Sequence, residues 1–465
     1  MKIIVLGTGY VGLVSGVCLA AWGHDVTCVD QNTSKVDLLR AGIAPFFEPA
    51  LQDLLKEVIE ARQIKFSSSL GDCMSDAVLV FVAVGTPPSA FDGAADLSQV
   101  FAAAEEIANA AKSGTVIVVK STVPVGTGDR IQQLVAEIRG QDDVVVISNP
   151  EFLREGSAIA DFMNPDRVVV GTENNDARRL MLEVYQPLIS RKVPFVFTQR
   201  RTSELIKYAS NAYLATKIVF INEMSNLCEK VGADIGDLSL GMGLDSRIGH
   251  SYLNVGPGYG GSCFPKDTLA LLKVAAEHEV KLGIVKETVT ANQARKRDLA
   301  NRVASMLGCD IAGKTIAVLG LSFKANTDDV RESPAIALIE GLKAMGANVQ
   351  ACDPAAVLEA KKVLSDVTFS SDAYTCACGA DGLVIMTEWD EFKQLDFARL
   401  RSVMVGNALL DLRNIVSVAS ARQNGFSVGR LGCMTEAVAS IDEVSAGSNA
   451  NRMEPTVQSH AQARR

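Results

Sequence analysis

Runs of apolar residues alternate with longer amphipathic stretches along the first part of the chain. Residues 2–6 form an apolar run rich in β-branched side chains, residues 11–22 have helical periodicity, and residues 24–30 have the pattern of a second strand. This order predicts a strand, a helix and a second strand. Because continuous apolar runs separated by helices are typical of buried parallel strands, the pattern predicts an α/β domain. Further apolar runs lie at 77–84, 115–119, 144–148 and 167–171, with helical stretches at 34–40, 49–61, 97–112 and 127–139.

The middle of the chain has only helical periodicity. Residues 202–232 predict one long helix, and helical stretches continue from 266 to about 307. A helical segment between two sheet domains is a common place for a dimer contact and for one wall of a cleft. We expect both roles here.

The third part of the chain repeats the pattern of the first. Residues 315–320, 334–345 and 347–353 predict a strand, a helix and a second strand. The loop before this helix is longer than its N-terminal counterpart, and its residues 322–333 carry charges in place of glycines. These features predict a second doubly wound domain whose loop has a different task.

Together, these patterns predict an α/β protein with two doubly wound, Rossmann-like domains joined by a long-helix central domain. A C-terminal tail lacks periodicity and large apolar residues, so we expect it to be disordered. The predicted boundaries are 1–198 for the first Rossmann domain, 199–305 for the central dimerisation domain, 306–434 for the second Rossmann-like domain and 435–465 for the tail.

Composition excludes several classes of function. The 465 residues are 48% hydrophobic and 21% charged, which is typical of a soluble globular enzyme, and no apolar run has the length of a membrane span. A net charge of −9 provides no basic surface for nucleic acid or an anionic membrane. The ten cysteines and four histidines are scattered, which favours a reducing cytoplasm and argues against a metal site.

Three glycines and an acidic residue near the N-terminus form a dinucleotide-binding pattern. Gly7 permits a tight turn, Gly9 lets a pyrophosphate approach the backbone, and Gly12 allows close helix packing. Asp30, which ends the second strand, can accept hydrogen bonds from a ribose diol and repels a 2′-phosphate. The pattern therefore predicts NAD rather than NADP. These glycines also interrupt the apolar N-terminal stretch, so we interpret that stretch as part of the sheet and not as a secretory signal.

Cys263 lies in a glycine-rich segment, residues 258–267, directly before a predicted helix. The helix dipole and the neighbouring Lys266 should favour thiolate and lower the pKa of Cys263. A buried, inert thiol is the usual interpretation of a single cysteine, but this setting favours a nucleophile. Together with the dinucleotide pattern, it suggests that a nicotinamide makes an aldehyde and that Cys263 captures it.

Other polar residues follow predicted strands or share a helix face. Thr122 could bind substrate or simply cap a helix. Glu151 and Glu155 would share one face if their segment were helical, although an exposed charged turn is the simpler interpretation. On the long helix, Lys207 and Asn211 could donate hydrogen bonds to a developing oxyanion or could form an ordinary solvated stripe with Glu204.

Six motifs follow one another along the chain: GTGYVG at 7–12, STVPVG at 121–126, PEFLREG at 150–156, ELIKYASNA at 204–212, GYGGSCFPKD at 258–267 and FKANTDDVRES at 323–333. Through these motifs the sequence resembles the nucleotide-sugar 6-dehydrogenase family over roughly residues 1–434. The resemblance implies that the primary alcohol of a UDP-glucose substrate is oxidised in two steps by two NAD, giving UDP-glucuronate through a thiohemiacetal and a thioester on Cys263. It also implies a homodimer.

The resemblance also implies roles for individual residues, with Arg247 reaching the substrate of a neighbouring subunit. The implied catalytic residues are Thr122, Glu151, Lys207, Asn211, Cys263 and Asp267. The implied NAD contacts are Gly7, Gly9, Tyr10, Val11, Gly12, Asp30, Lys35, Thr86, Thr122, Glu155, Lys266 and Arg331. The implied substrate contacts are Glu151, Phe152, Leu153, Lys207, Asn211, Arg247, Tyr252, Gly260, Phe323, Lys324 and Arg413.

Three alternatives remain open at this point. The same chemistry could act on GDP-mannose or UDP-N-acetylmannosamine, although the residues around Cys263 favour UDP-glucose. A two-electron hydroxyacid dehydrogenase would need the lysine and asparagine of the long helix but not the cysteine. A non-catalytic NAD-binding regulator would need none of the reactive groups.

Overall fold

The computed structural model describes residues 1–87, 89, 95–308 and 310–433. The predicted disordered tail, 435–465, lies outside the described residues. Within the described part of the chain, two sheets are separated in sequence by long helices. No helix there combines the length and apolar character needed to cross a membrane.

The first sheet has eight strands in the order β3-β2-β1-β4-β5-β6-β7-β8. Its strands are β1 (Lys2–Leu6), β2 (Asp25–Val29), β3 (Ile64–Ser67), β4 (Leu79–Val82), β5 (Val116–Val119), β6 (Val145–Ser148), β7 (Val168–Gly171) and β8 (Phe195–Thr198). Its helices are α1 (Tyr10–Ala21), α2 (Thr33–Arg40), α3 (Leu51–Glu60), α4 (Ser98–Ala110), α5 (Thr127–Arg139), α6 (Ala158–Met163), α7 (Asn175–Val184) and α8 (Gln186–Ser190), with a 3-10 helix at Gly71–Asp76.

The prediction that all these strands are parallel was wrong for one pair. Strand β7 runs antiparallel to β6, and Ser148 pairs with Gly171. The apolar run of β7 indicates a buried strand but carries no information about its direction. As a result, the N-terminal end of β7 lies at the same edge of the sheet as the carboxyl ends of β4, β5 and β6.

Successive residues of the central strand β1 face opposite sides of the sheet. Ile3 and Val5 pack in one apolar core, whereas Ile4 and Leu6 pack in the other. Both faces of the sheet are therefore covered by helices, which explains why the inner strands are apolar throughout. The edge strand β3 alternates buried and exposed residues instead, so an analysis of continuous apolar runs did not predict it.

Four helices follow the first sheet. The longest one ends at Val231, and the next residue, Gly232, adopts a left-handed conformation with φ of 76°. The helical stretches predicted from 266 to about 307 correspond to two helices. The four are α9 (Arg200–Val231), α10 (Ile235–Gly243), α11 (Phe264–Glu277) and α12 (Gly283–Met306).

The second sheet has six parallel strands in the order β11-β10-β9-β12-β13-β14. The charged residues 322–333, called the charged insertion below, lie in the loop between β9 (Thr315–Leu319) and α13 (Pro334–Ala344), as predicted. The strands are β9 (Thr315–Leu319), β10 (Asn348–Cys352), β11 (Thr368–Phe369), β12 (Gly382–Ile385), β13 (Ala408–Asp411) and β14 (Ser427–Arg430). The helices are α13 (Pro334–Ala344), α14 (Val357–Ala360), α15 (Ala373–Ala377), α16 (Asp390–Lys393), α17 (Phe397–Val403) and α18 (Val418–Gln423).

Asp353 occupies the position in the second sheet that Asp30 has in the first, but it is buried. Its carboxylate accepts hydrogen bonds from the backbone N–H groups of Leu321 and Ser322 at 2.7 and 3.0 Å. The indole N–H of Trp389 donates to it at 3.2 Å. Asp353 therefore fixes the start of the insertion.

Candidate active site

Polar residues from three neighbouring strand ends meet the start of α11 and one face of α9. Thr86, Thr122 and Glu151 follow β4, β5 and β6, which are adjacent in the first sheet. Lys207 and Asn211 lie about one turn apart on α9. Carboxyl ends of strands are where open α/β sheets bind ligands, so this arrangement is a candidate active site.

Lys207 and Glu151 form a buried ion pair at the centre of the site. Lys207 Nζ lies 2.9 Å from Glu151 Oε1, and the side chains are 3% and 4% exposed. Burial alone would lower the pKa of Lys207, but the charges of Glu151, Cys263 and Asp267 raise it well above its usual value. The second oxygen of Glu151 accepts the backbone N–H of Leu153 at 2.5 Å. Lys207 is therefore held as a cation.

Asp267 accepts two hydrogen bonds, one from α9 and one from its neighbour on α11. Asn211 Nδ2 donates to Asp267 Oδ2 at 2.6 Å, and Lys266 Nζ donates to Asp267 Oδ1 at 2.7 Å. Lys266 Nζ also lies 3.5 Å from the hydroxyl of Thr86. Asp267 is 1% exposed, so both contacts are shielded from water.

Cys263 occupies the N-cap position of α11 and is half-buried. The prediction that its pKa is lowered was wrong for this structure. Burial raises the pKa of Cys263 to about 11, Lys207 opposes the rise, and the carboxylates of Glu151, Asp267 and Glu155 add to it. The neighbouring Lys266 is hydrogen-bonded to Asp267 instead of acting on the sulfur.

Ser262 links Cys263 to a buried carboxylate. Its hydroxyl lies 3.5 Å from Cys263 Sγ and donates to Glu155 Oε1 at 2.8 Å. Burial raises the pKa of Glu155 to about 7, and the charge of Asp329 adds to this effect. Arg331 lies 3.8 Å from Glu155 and is hydrogen-bonded to Asp329.

Glu151 and Glu155 do not share a helix face, because the condition for it, a helical segment, is not met. Residues 151–154 are not helical, so the i and i+4 spacing does not place the two carboxylates side by side. Glu151 faces Lys207, whereas Glu155 faces Ser262. Glu204 also points elsewhere, because it accepts the backbone N–H groups of Gly126 and Gly128 at the start of α5.

The glycine-rich residues 258–263, called the cysteine loop below, pack directly on the charged insertion. The backbone N–H of Gly261 donates to the carbonyl of Arg331 at 2.8 Å. A Cβ on Gly261 would lie 2.6 Å from the ring of Phe323, and a Cβ on Gly260 would collide with the carbonyl oxygen of Glu332. The glycines are therefore required for this close approach.

Thr122 contacts the strand end beside it. Its carbonyl oxygen accepts the hydroxyl of Thr86 at 3.0 Å. Thr122 and Lys207 also line a cavity of about 10 Å³, together with Ser121 and Pro150. A space of this size is at the lower limit for one water molecule.

The predicted NAD-binding residues form a cradle at the N-terminus of α1. Gly7 has φ of +97°, and a Cβ on Gly12 would collide with the carbonyl oxygen of Gly7. Nothing lies within 4 Å of where a Cβ on Gly9 would stand, so the backbone there is open to a ligand. Asp30 accepts hydrogen bonds from Thr8 and lies 3.3 Å from Lys35 Nζ. These residues fit a dinucleotide.

Tyr10 and Val11 also lie in this cradle, at the start of α1, and both are half-buried. The hydroxyl of Tyr10 is hydrogen-bonded to the buried Glu48. Glu48 in turn accepts the backbone N–H of Gly156 at 2.6 Å. Tyr10 therefore supports the loop that carries Glu155.

The predicted substrate residues of the insertion and second sheet surround the cysteine loop. Arg413 donates to the carbonyl oxygens of Phe323 and Met386, each at 2.8 Å, and forms an ion pair with Glu388 at 3.1 Å. Lys324 Nζ lies 5.4 Å from the ring of Phe323, and burial lowers the pKa of Lys324. Both cations therefore lie on the side of the site that the second sheet contributes.

Two further predicted residues approach the site less directly. Tyr252 lies on the segment before the cysteine loop, and its ring centroid is 6.0 Å from that of Phe264 at the start of α11. Arg247 lies apart from the cluster within this chain. Its side chain is 87% exposed and bonds to Asp245.

Arg167 contacts Phe152 of the site, and Lys120 lies close enough for the charges of Glu151 and Lys207 to act on it, but neither residue was predicted. The guanidinium carbon of Arg167 lies 3.6 Å from the ring centroid of Phe152, and Lys207 Nζ lies 5.5 Å from the same centroid. Arg167 precedes β7 and reaches this edge only because β7 is antiparallel to β6. No sequence signal indicated that reversal. Lys120 directly precedes the STVPVG motif, but a lysine at a strand end is ordinary in sequence.

Three family models match the chain in order. They are the NAD binding, central and UDP binding domains of the UDP-glucose/GDP-mannose dehydrogenase family, at residues 1–189, 201–294 and 317–418.

Full-length relatives and a solved structure are also similar. A UDP-glucose 6-dehydrogenase of Rhizobium meliloti (strain 1021) is 51% identical over 93% of this chain and 99% of the relative. One of Bacillus subtilis (strain 168) is 45% identical over 92% and 98%. The structure of a UDP-glucose dehydrogenase from Pyrobaculum islandicum superimposes with a TM-score of 0.83 at 38% identity, covering 92% of this chain and 96% of that chain.

Proposed function

Because the chain belongs to the UDP-glucose/GDP-mannose dehydrogenase family, we propose that it uses NAD to oxidise UDP-glucose twice and releases UDP-glucuronate. The observation that carries the proposal is the position of Cys263 beside the Lys207–Glu151 pair and the Asn211–Asp267 pair. A two-electron dehydrogenase has no use for a nucleophile at that place.

NAD, when bound in the cradle of Gly7, Gly9 and Gly12, supplies the hydride acceptor for both oxidations. In the first oxidation the primary alcohol loses a hydride and a proton and becomes an aldehyde. A water held by Thr122, Glu151 or Asp267 assists removal of the proton. The burial of Glu151 and Asp267 favours a defined path for the proton over exchange with solvent.

Cys263 then adds to the aldehyde carbon. Since its pKa is about 11 in this structure, the thiol must lose its proton as the carbon–sulfur bond forms. The Ser262 hydroxyl can accept that proton while passing its own to Glu155, with which it is already hydrogen-bonded. Lys207 and Asn211 donate hydrogen bonds to the oxygen that becomes negative in this step.

The second oxidation removes a hydride and a proton from the thiohemiacetal and leaves a thioester on Cys263. Water then attacks the thioester carbon, and the carbon–sulfur bond breaks to give the carboxylate and restore the thiol. Overall, one water is consumed and two hydrides leave each sugar. Hydrolysis of a thioester to a carboxylate is favourable, so it gives the reaction its direction.

An NADH assay tests this proposal. UDP-glucose, GDP-mannose and UDP-N-acetylmannosamine are supplied separately, each in limiting amount, and NADH is counted by its absorbance. We expect turnover with UDP-glucose and two NADH for each sugar consumed. One NADH per sugar would indicate a two-electron dehydrogenase, and a preference for another sugar nucleotide would identify the alternative substrate.

We further propose the domain organisation and the cellular location predicted from the sequence. The segments 1–198, 199–305 and 306–434 are the first Rossmann domain, the central domain and the second Rossmann-like domain. Strand β8 ends at Thr198 and the long α9 begins at Arg200, which supports the first boundary. A catalytic thiol must stay reduced, which supports a cytoplasmic location.

We also propose a homodimer formed through α9. Tyr213, Phe220 and Leu227 are 65%, 42% and 51% exposed, and they recur at heptad spacing along that helix. Such a stripe suits a second copy of α9, and a dimer could bring the exposed Arg247 to a neighbouring site. Light scattering should show a dimer for the wild type and a monomer for Phe220→Asp; a wild-type monomer would contradict the proposal.

A further inference from the structure

Lys120 is a buried lysine without a carboxylate partner. It directly follows β5, and the residue is 4% exposed. Its Nζ lies 3.2 Å from Asn149 Oδ1 and 3.5 Å from the hydroxyl of Tyr185, both of which are neutral groups. Among the described residues no acidic side chain lies within ion-pair distance of it. Such burial is costly, so it calls for an explanation.

Aromatic rings complete the surroundings of this ammonium group. The ring centroids of Phe81 and Phe162 lie 5.9 and 5.8 Å from Nζ, within the range of cation–π attraction. Burial lowers the pKa of Lys120 to about 8, the charge of Glu151 opposes this, and the charge of Lys207 adds to it. The two charges that act on Lys120 therefore belong to the central ion pair.

Lys120 also holds the segment that carries Glu151. Asn149 Oδ1 accepts hydrogen bonds from both Lys120 and Tyr185, the latter at 2.7 Å. Asn149 Nδ2 donates to the carbonyl of Val169 at 2.8 Å. The amide is thus fixed on both sides, two residues before Glu151.

We propose that Lys120 is a positioning residue for the reaction: it fixes the Asn149–Glu151 segment, and its positive charge supports the oxyanion that develops beside Lys207. This inference rests on the proposed function. The carboxylate of Asp267 already faces the pair from α11, and Glu155 adds a carboxyl group near the sulfur. Removing the charge of Lys120 therefore makes the oxyanion beside Lys207 more costly to form.

The protonation of Lys120 gives this role a signature in pH. Burial favours the neutral amine, so the charge is present below pH about 8 and is lost as pH rises through that value. The wild-type kcat should therefore contain a descending step near pH 8. An arginine at this position stays protonated throughout, so it should restore the charge without the step.

The test compares kcat and KM between pH 6 and 10 for the wild type, Lys120→Met, Lys120→Arg and Tyr185→Phe. It uses whichever of the three nucleotide sugars supports turnover. At pH 7 we expect Lys120→Met to lower kcat at least about tenfold with the KM for NAD within about twofold, and to lack the step. Lys120→Arg should recover most of the activity, and Tyr185→Phe, which keeps the charge, should retain the step.

Thermal unfolding separates this role from a structural one. Because Lys120 has no carboxylate partner, Lys120→Met removes a costly buried charge without leaving another one unpaired, and Asn149 Oδ1 keeps its hydrogen bond from Tyr185, so this variant should unfold at or above the wild-type Tm. Full activity of Lys120→Met, a step that survives in it, or no rescue by arginine would overturn the inference while leaving the proposed function intact. Lack of turnover by the wild type with all three sugars would overturn both.

Discussion

Replacing Cys263 with alanine is expected to lower the rate of UDP-glucuronate formation by at least about a thousandfold. Without the sulfur, the aldehyde has no covalent hold on the protein while NADH leaves and a second NAD enters. The cradle formed by Gly7, Gly9 and Gly12 is unchanged, so NAD affinity should stay within about twofold of the wild type. Product formation is measured by chromatography, and NAD affinity by titration calorimetry.

Cys378→Ala is the matched control for this substitution. Cys378 is an exposed free cysteine of the second sheet region, so its loss removes a thiol without touching the site. We expect this variant to retain wild-type turnover. A Cys263→Ala enzyme that still made the acid at the wild-type rate would show that oxidation needs no sulfur nucleophile.

The second large effect concerns the buried pair of Lys207 and Glu151. Lys207→Met should lower kcat by about 10²- to 10³-fold, because it removes a cationic donor to the oxyanion. It should also reduce the free energy of unfolding by about 3–5 kcal/mol, because Glu151 would keep a buried charge without its partner. Urea unfolding and steady-state kinetics measure the two effects separately.

A double variant separates these two contributions. In Lys207→Met with Glu151→Gln, neither side chain is charged, so much of the lost stability should return. The activity should not return, because the donor is still missing. Recovery of activity in the double variant would mean that Lys207 acts only by neutralising Glu151.

The fold could be predicted where local pattern determines the element. Helix α5 spans Thr127–Arg139, as its periodicity predicts, and the glycines of the first loop stand at the start of α1. The edge strand β3 and the direction of β7 could not be predicted, because each depends on the neighbouring strand and not on local sequence. Arg167 was missed for this reason.

The chemistry of the site was only partly predictable. Sequence singled out Cys263 and Lys207, and the structure brings them into one cluster. The predicted direction of the pKa shift of Cys263 was wrong. The prediction considered only local features, the helix dipole and Lys266, and not the burial of the thiol. The burial that raises this pKa depends on the whole fold, and two of the carboxylates that add to it, Glu151 and Glu155, come from a segment distant in sequence.

The most direct test of the account is mass spectrometry of the peptide that contains Cys263. The wild-type enzyme is mixed with UDP-glucose and NAD and quenched in acid during turnover. The account predicts a sugar-nucleotide adduct on Cys263 with the mass of the thioester, absent when NAD is omitted. An unmodified Cys263 in enzyme that is forming NADH would contradict it.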